Sequence, residues 1–378
     1  MRESSQQLVA DVLFVAGEAS GDLHAAGVAE ELRRIRPDLR LTGIGGPRMK
    51  SAGVELIAGY DEMAVMGFVE VIRHLPRHFE LLSELRSMLR SGRVSLLVLV
   101  DYPGFNMKAA RAAAEVGVPV LYYVTPQVWA WGAGRLPELA RIVTRAAVIL
   151  PFEEELLRGY GVNATFVGHP LLDRAGDLPS KQAARTALDL NADRPVLALF
   201  PGSRHQEIDR HLDDFVDSAR VAESRVPGLQ TIVSVAPTVT LDPARCPYKR
   251  VESASFTVLR AADAALCKSG TTTLEAAIAD CPLVVAYRTV FVSYLLARAM
   301  VRIPHIGLVN VVAGREVAKE FVQDDLRPDK VAPALVPLLE DGNAERQRVL
   351  DGLAEVRSRL GTPGAASRVA QIASELTP

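Results

Sequence analysis

Short apolar runs alternate almost throughout this chain with stretches whose apolar positions recur every three or four residues, the pattern of parallel βα units. In the first half the pattern predicts strands at 12–16, 41–44, 96–100, 118–124, 146–150 and 164–167. Between the first two lies a predicted helix with Ala25, Val28, Leu32 and Ile35 on one face, ended by Pro37. A polar segment around 173–194 separates a second series of strands, at 196–200, 231–235, 264–266 and 283–286. The expectation is an α/β protein of two Rossmann-like parallel-sheet domains facing across a cleft, divided as 1–172 and 173–378. Ligands of such sheets bind beyond the carboxyl ends of the strands, so chemistry is sought just after each apolar run.

At 378 residues the chain suits two domains of ordinary size. Hydrophobic residues at 49% and a formal net charge of −2 describe a folded protein without the concentrated basic field that nucleic acid demands. Three widely spaced cysteines, Cys246, Cys267 and Cys281, fit neither a disulfide framework nor a metal knuckle and suit a reducing cytoplasm. The polar start lacks a signal-peptide core, and no segment offers the roughly 20 uninterrupted apolar residues of a spanning helix. Membrane contact is therefore expected to be peripheral. The run from Met63 to Ile72, followed by Arg73, His74, Arg77, His78, Arg86 and Arg90, reads equally as a surface that dips into anionic lipid or as a buried helix with a solvated basic end. His74 and His78 are four apart, but Pro76 between them argues against a zinc-binding helix face.

The first strand runs into Gly17-Glu-Ala-Ser-Gly-Asp22, a small-residue turn whose acids, Glu18 and Asp22, would repel a pyrophosphate. They suit sugar hydroxyls instead, with Ser20 and Gly21 allowing close approach. Thr42-Gly-Ile-Gly-Gly-Pro-Arg-Met49 lacks the Gly-x-Gly-x-x-Gly spacing of a dinucleotide turn. Asp101 leaves a fully apolar strand, where a carboxylate can act as general base or simply fix the turn before Pro103. Asn106 has the same placement, and Trp129 and Trp131 form either core or a sugar or lipid platform.

In the second half, Pro201-Gly-Ser-Arg204 follows a strand, with Gly202 permitting close approach, Ser203 donating a hydroxyl and Arg204 offering a forked cation to phosphate oxygens. Ser269-Gly-Thr-Thr-Thr-Leu-Glu275 opens a helix after another strand. Free N–H groups there, at Gly270 and Thr271, suit a diphosphate, and Glu275 suits ribose hydroxyls; the same residues also read as a cap.

Taken together these stretches, with Gly43-Ile-Gly-Gly46, Met66-Gly-Phe-Val-Glu70, Asp101-Tyr-Pro-Gly-Phe-Asn106, Thr125-Pro-Gln-Val-Trp-Ala-Trp131, Leu150-Pro-Phe-Glu153 and Val167-Gly-His-Pro170, resemble the lipid-A-disaccharide synthases, inverting glycosyltransferases of GT-B architecture. The resemblance implies transfer of 2,3-diacylglucosamine from UDP-2,3-diacylglucosamine to 2,3-diacylglucosamine 1-phosphate, giving the β-1,6 disaccharide 1-phosphate of lipid A and UDP, with no metal and no redox cofactor. It implies a UDP site on Gly202, Ser203, Arg204, Ser269, Gly270, Thr271 and Glu275, and adds Asn310. Many members carry a second acid where this chain has Gly104, so the base is expected at Asp101, with Glu18 and Asp22 as alternatives. Peripheral placement on the cytoplasmic face of the inner membrane follows from acylated substrates, a homodimer stays open, and the last helical segment, about 344–378, is expected back on the first domain. The rival is another GT-B enzyme of UDP-sugars, such as a UDP-N-acetylglucosamine 2-epimerase; a UDP-sugar-binding protein without turnover is the rival of another class.

Overall fold

Runs of Val, Leu and Ile without polar interruption are sheltered only when a sheet is covered on both faces. In the computed structural model, which describes residues 11–63, 68–130, 133–176, 178–290 and 304–378, these runs form two all-parallel sheets. Met66, Gly67, Trp131 and Gly132, and the side chains of residues 68–76, lie outside the described residues. The chain divides into one unit of Met1–Asp173 with Thr362–Pro378 and a second of Arg174–Gly361.

The first unit holds β1 (Asp11–Ala16), β2 (Arg40–Gly45), β3 (Glu55–Gly59), β4 (Val94–Val100), β5 (Val120–Tyr123), β6 (Arg145–Val148) and β7 (Ala164–Phe166), in the order β3-β2-β1-β4-β5-β6-β7. Alternation along β1 sorts the core into two layers: Val12, Phe14 and Ala16 face the helix Ala19–Ile35, while Leu13 and Val15 face the layer built by Leu81, Leu85 and Phe105. The helix Ala365–Leu376 closes the first layer with Val369, Ala370 and Ala373, and the Asp173 carboxylate accepts from the Ala366 N–H (3.3 Å) and from the Gly364 N–H at its start. The helix Ala344–Arg359 belongs to the second unit.

That unit holds β8 (Val196–Phe200), β9 (Gln230–Val235), β10 (Lys249–Glu252), β11 (Ala264–Lys268), β12 (Leu283–Tyr287) and β13 (Glu320–Val322), in the order β10-β9-β8-β11-β12-β13. In each sheet the strand order reverses once, between β1 and β4 and between β8 and β11. At such a reversal the helices leave to opposite faces and open a crevice beyond the strand ends.

The strands absent from the sequence reading, β3, β10 and β13, all lie at sheet edges, where half-exposed residues break the apolar run. Two further expectations change. Ile35 is exposed, because at the last turn its face has rotated off the core, and the helix Phe68–Arg90 continues through Pro76. Among the described residues, no helix is long and apolar enough to cross a membrane.

Candidate functional site

Because Ala16 pairs with Val100, the turns that leave β1 and β4 are neighbours. The first carries Gly17 and Glu18, the second Asp101 and Tyr102. A Cβ at Gly17 would lie 2.3 Å from the Tyr102 ring, so the glycine is what lets the two turns interlock. Asp101 and Tyr102 are both left-handed, at φ 49° and 45°, a conformation that costs a non-glycine residue about 1 kcal/mol or more and tends to gather where geometry matters for function. The Tyr102 hydroxyl anchors the turn by donating to the Met63 carbonyl (2.7 Å).

This geometry sets the turns that carry Glu18 and Asp101 side by side, close enough for each carboxyl to feel the other. Burial, joined by the nearby charge of Glu18, pushes the Asp101 carboxyl up to about 6, while the Tyr102 N–H holds it down. A carboxyl poised near neutrality at a strand end is suited to take a proton from a bound hydroxyl. Ser20, exposed in the first turn of the following helix, donates its hydroxyl to Glu18 Oε1 (2.9 Å) and fixes that side of the pair.

Two other residues of the same loop do different work. Asp22 is 1% exposed; its Oδ1 accepts from the N–H groups of Gly46 (2.8 Å) and Met49 (3.0 Å), and its Oδ2 from Arg48 N–H (3.1 Å). The glycine-rich turn after β2 and the start of helix Pro47–Ser51 thus form an anion-binding nest that an internal carboxylate already fills. Asp22 leaves the candidates for the base, and this explains why the Gly-Ile-Gly-Gly turn is no dinucleotide site. Gly21 is buried, and its missing side chain points toward Ala16 Cβ and the Val100 carbonyl, not toward a ligand. Asn106 is fully buried too and spends its amide on the carbonyls of Val100 (3.2 Å) and Asp101 (2.7 Å), which removes it from direct substrate contact.

Trp129 is half-buried. Its indole N–H donates to Glu153 Oε1 (2.9 Å), and its ring meets Phe152 edge-on with centroids 5.2 Å apart. Burial pushes the Glu153 carboxyl up to about 7, against the pull of that indole and of the Leu150 N–H (3.0 Å). Sequence reasoning had no role for Glu153, although its motif was visible. His169, 3% exposed, accepts the Leu171 N–H (3.2 Å) at Nδ1, so its ring is neutral; burial and the nearby His24 hold it down to about 3.

In the second unit Phe200 pairs with Cys267, which brings the turns after β8 and β11 together. Gly202 has φ 142°, and a Cβ there would lie 2.5 Å from that of Glu207. Glu207 is the hub: it accepts from Ser203 N–H (2.9 Å) and Lys268 Nζ (2.8 Å), with the Arg204 guanidinium at 3.7 Å. Burial pushes its carboxyl up, but Lys268 and the Ser203 N–H outweigh it and leave the group below its ordinary value. Lys268 also lies over the Tyr287 ring, 5.7 Å from its centroid. Neither Glu207 nor Lys268 was singled out from sequence; the signal was a lysine at a strand exit and an acid three residues after Arg204. Arg204 begins the helix His205–Glu223, with its side chain mostly exposed. Thr271 is exposed, while Ser269 donates its hydroxyl to the Ile306 carbonyl (2.7 Å). The helix after Gly270, Thr272–Ile278, is only seven residues long, so its dipole is weaker than the sequence argument assumed. Glu275 is buried with Arg174 at 3.6 Å; burial raises its carboxyl and Arg174 offsets this only in part.

Asn310 is not a ligand contact by this geometry. Its amide donates to the Ala318 carbonyl (2.7 Å) and Glu320 Oε1 (2.8 Å), and its oxygen accepts from Val317 (2.8 Å) and Ala318 (2.9 Å), so every hydrogen-bonding position is taken.

A family model described as lipid-A-disaccharide synthetase matches residues 12–373. The lipid-A-disaccharide synthase of Anaeromyxobacter sp. (strain K) is 42% identical over 375 residues, and that of Myxococcus xanthus (strain DK1622) 41% identical over 374, each alignment covering 97% of both chains. Among solved structures, the glycotransferase of kitacinnamycin superposes with a TM-score of 0.66 at 17% identity, covering 97% of this chain and 99% of the other. A Staphylococcus aureus MnaA–UDP co-structure gives a TM-score of 0.64 at 12% identity, covering 95% and 94%. At such identities these likenesses speak to the GT-B fold alone. The family match and the curated relatives go further: this chain belongs to the lipid-A-disaccharide synthase family of glycosyltransferases.

Proposed function

We propose that this chain transfers 2,3-diacylglucosamine from its UDP conjugate to the 6-hydroxyl of 2,3-diacylglucosamine 1-phosphate, with inversion, giving the β-1,6 disaccharide 1-phosphate and UDP. The carrying observation is the Glu18–Asp101 carboxyl pair at the strand reversal of the first sheet. Asp101 takes the acceptor's hydroxyl proton as that oxygen bonds to the anomeric carbon. The bond from that carbon to UDP breaks, and its electron pair leaves on the diphosphate. Arg204 and Lys268 supply the positive charge that stabilises this leaving group, with Thr271 and Glu275 as further polar contacts to the nucleotide. The 2-epimerase reading rests on fold likeness at 11–13% identity, and membership of the synthase family outweighs it.

With acylated substrates, the enzyme works as a peripheral protein at the cytoplasmic face of the inner membrane in this reading. Phe79 supports this: it is 61% exposed, on the helix Phe68–Arg90, with the Lys108 ammonium 5.7 Å from its ring centroid. Arg77, by contrast, is held by Glu62, Glu80 and Glu84 and does not join the basic rim. The test of the reaction is incubation of purified protein with both lipid substrates. Disaccharide and UDP should appear in equal amounts, and the absence of both overturns the reading.

A further inference from the structure

The peptide between Asp101 and Tyr102 joins two left-handed residues in a row. Asp101 continues the ladder through its N–H, which donates to the Tyr123 carbonyl (3.1 Å). Its own carbonyl then turns out of the sheet, because Asp101 and Tyr102 are both left-handed. A buried carbonyl so displaced needs new partners. It has two: the Tyr122 hydroxyl at 2.9 Å and Asn106 Nδ2 at 2.7 Å. Both donors come from fully buried side chains on different elements, β5 and the helix Pro103–Glu115.

Asn106 Oδ1, meanwhile, is buried and accepts no bond from the protein. An aliphatic side chain of similar volume would fill the space without stranding that oxygen. What the amide contributes is therefore its pair of donations, to the carbonyls of Val100 and Asp101. Tyr122 points the same way, since a phenylalanine would satisfy the core equally well and could not hold the carbonyl.

We infer that Tyr122 and Asn106 are positioning residues for Asp101: their donors clamp its carbonyl and so hold the left-handed turn that presents its carboxyl beside Glu18. Neither touches substrate. This rests on Asp101 being the base, and it extends that role to a residue on a neighbouring strand. The charged and titratable groups around the clamp are Glu18 from the turn after β1, Tyr102 within the turn, His78, whose Nε2 lies 3.4 Å from the Tyr102 hydroxyl, and Arg135, whose charge is felt at Tyr122.

The test compares Tyr122→Phe with Asp101→Asn and the unaltered protein, measuring kcat, KM, thermal midpoint and the pH dependence of kcat/KM. For Tyr122→Phe, kcat should fall by about tenfold or more, because misplacing a base by a fraction of an ångström is costly, while KM changes by less than about twofold. The thermal midpoint should stay near that of the unaltered protein. The acid limb of kcat/KM should move to lower pH, as the loosened Asp101 gains solvent and separates from Glu18. If Asp101→Asn is inactive while Tyr122→Phe keeps its kcat, or loses activity with the acid limb in place, the clamp is structural only and the inference is overturned. If Asp101→Asn is as active as the unaltered protein, the base assignment itself fails and the inference with it.

Discussion

The two units share one plan, but the side chains on their reversal turns differ in the sign of their charge. Each has a parallel sheet whose order reverses once, and in each the candidate groups sit on the two turns flanking that reversal. In the first unit those turns present Glu18 and Asp101; in the second they present Arg204 and Lys268 around a single organising acid, Glu207. The fold determines where a crevice opens, and residue type decides whether it accepts a proton or an anion. The contrast extends to the remaining glycine-rich turn of the first unit, where Asp22 occupies the N–H groups that a phosphate would need.

Four changes would break or sharpen that contrast. Asp101→Asn should lower kcat by about a hundredfold or more, the usual contribution of a general base, and leave UDP affinity nearly unchanged in calorimetric titration. Arg204→Ala should do the reverse, weakening UDP by roughly fiftyfold through loss of a charge-assisted contact while the acid limb of the pH profile stays put. Asp22→Asn should destabilise the first unit by about 2 kcal/mol in denaturant unfolding, because the amide turns an NH₂ group toward backbone donors. Creation of a second UDP site in that variant would show that the filled nest is a dormant nucleotide site. The smallest effect is expected from Glu18→Gln. Asp101 must be ionised to accept a proton, so activity is lost as pH falls through its pKa of about 6. Removing the neighbouring charge lowers that pKa and carries the acid limb to lower pH, but burial, the larger cause, remains, so the limb does not return to the ordinary aspartate range.

How far the sequence reached can be seen in single residues. The interior strands were legible because burial on both faces demands an unbroken apolar run, and the edge strands were not, because β10 needs only Val251 inside. The loops were legible as locations. What spacing could not reveal was the direction in which a polar side chain spends its bonds. Asn106, Asn310 and Asp22 all follow strands or sit in family motifs as a ligand contact should, yet each turns inward to hold backbone. Lys268 was hidden for the converse reason: beside a run of small residues it looked incidental, and only the fold brings it to Glu207.

The helix Ala365–Leu376 has a consequence for how the chain matures. Its Val369, Ala370, Ile372 and Ala373 belong to the same core layer as Val12, Phe14 and Ala25, so the first unit to leave the ribosome is the last to be finished. The 188 consecutive residues of the second unit can be completed while the first waits with one face of its sheet only partly covered, by helix Ala19–Ile35. Truncation before Thr362 would thus strike the opposite end of the sequence, opening the layer that helix Ala19–Ile35 shares with helix Ala365–Leu376 and leaving the second unit whole.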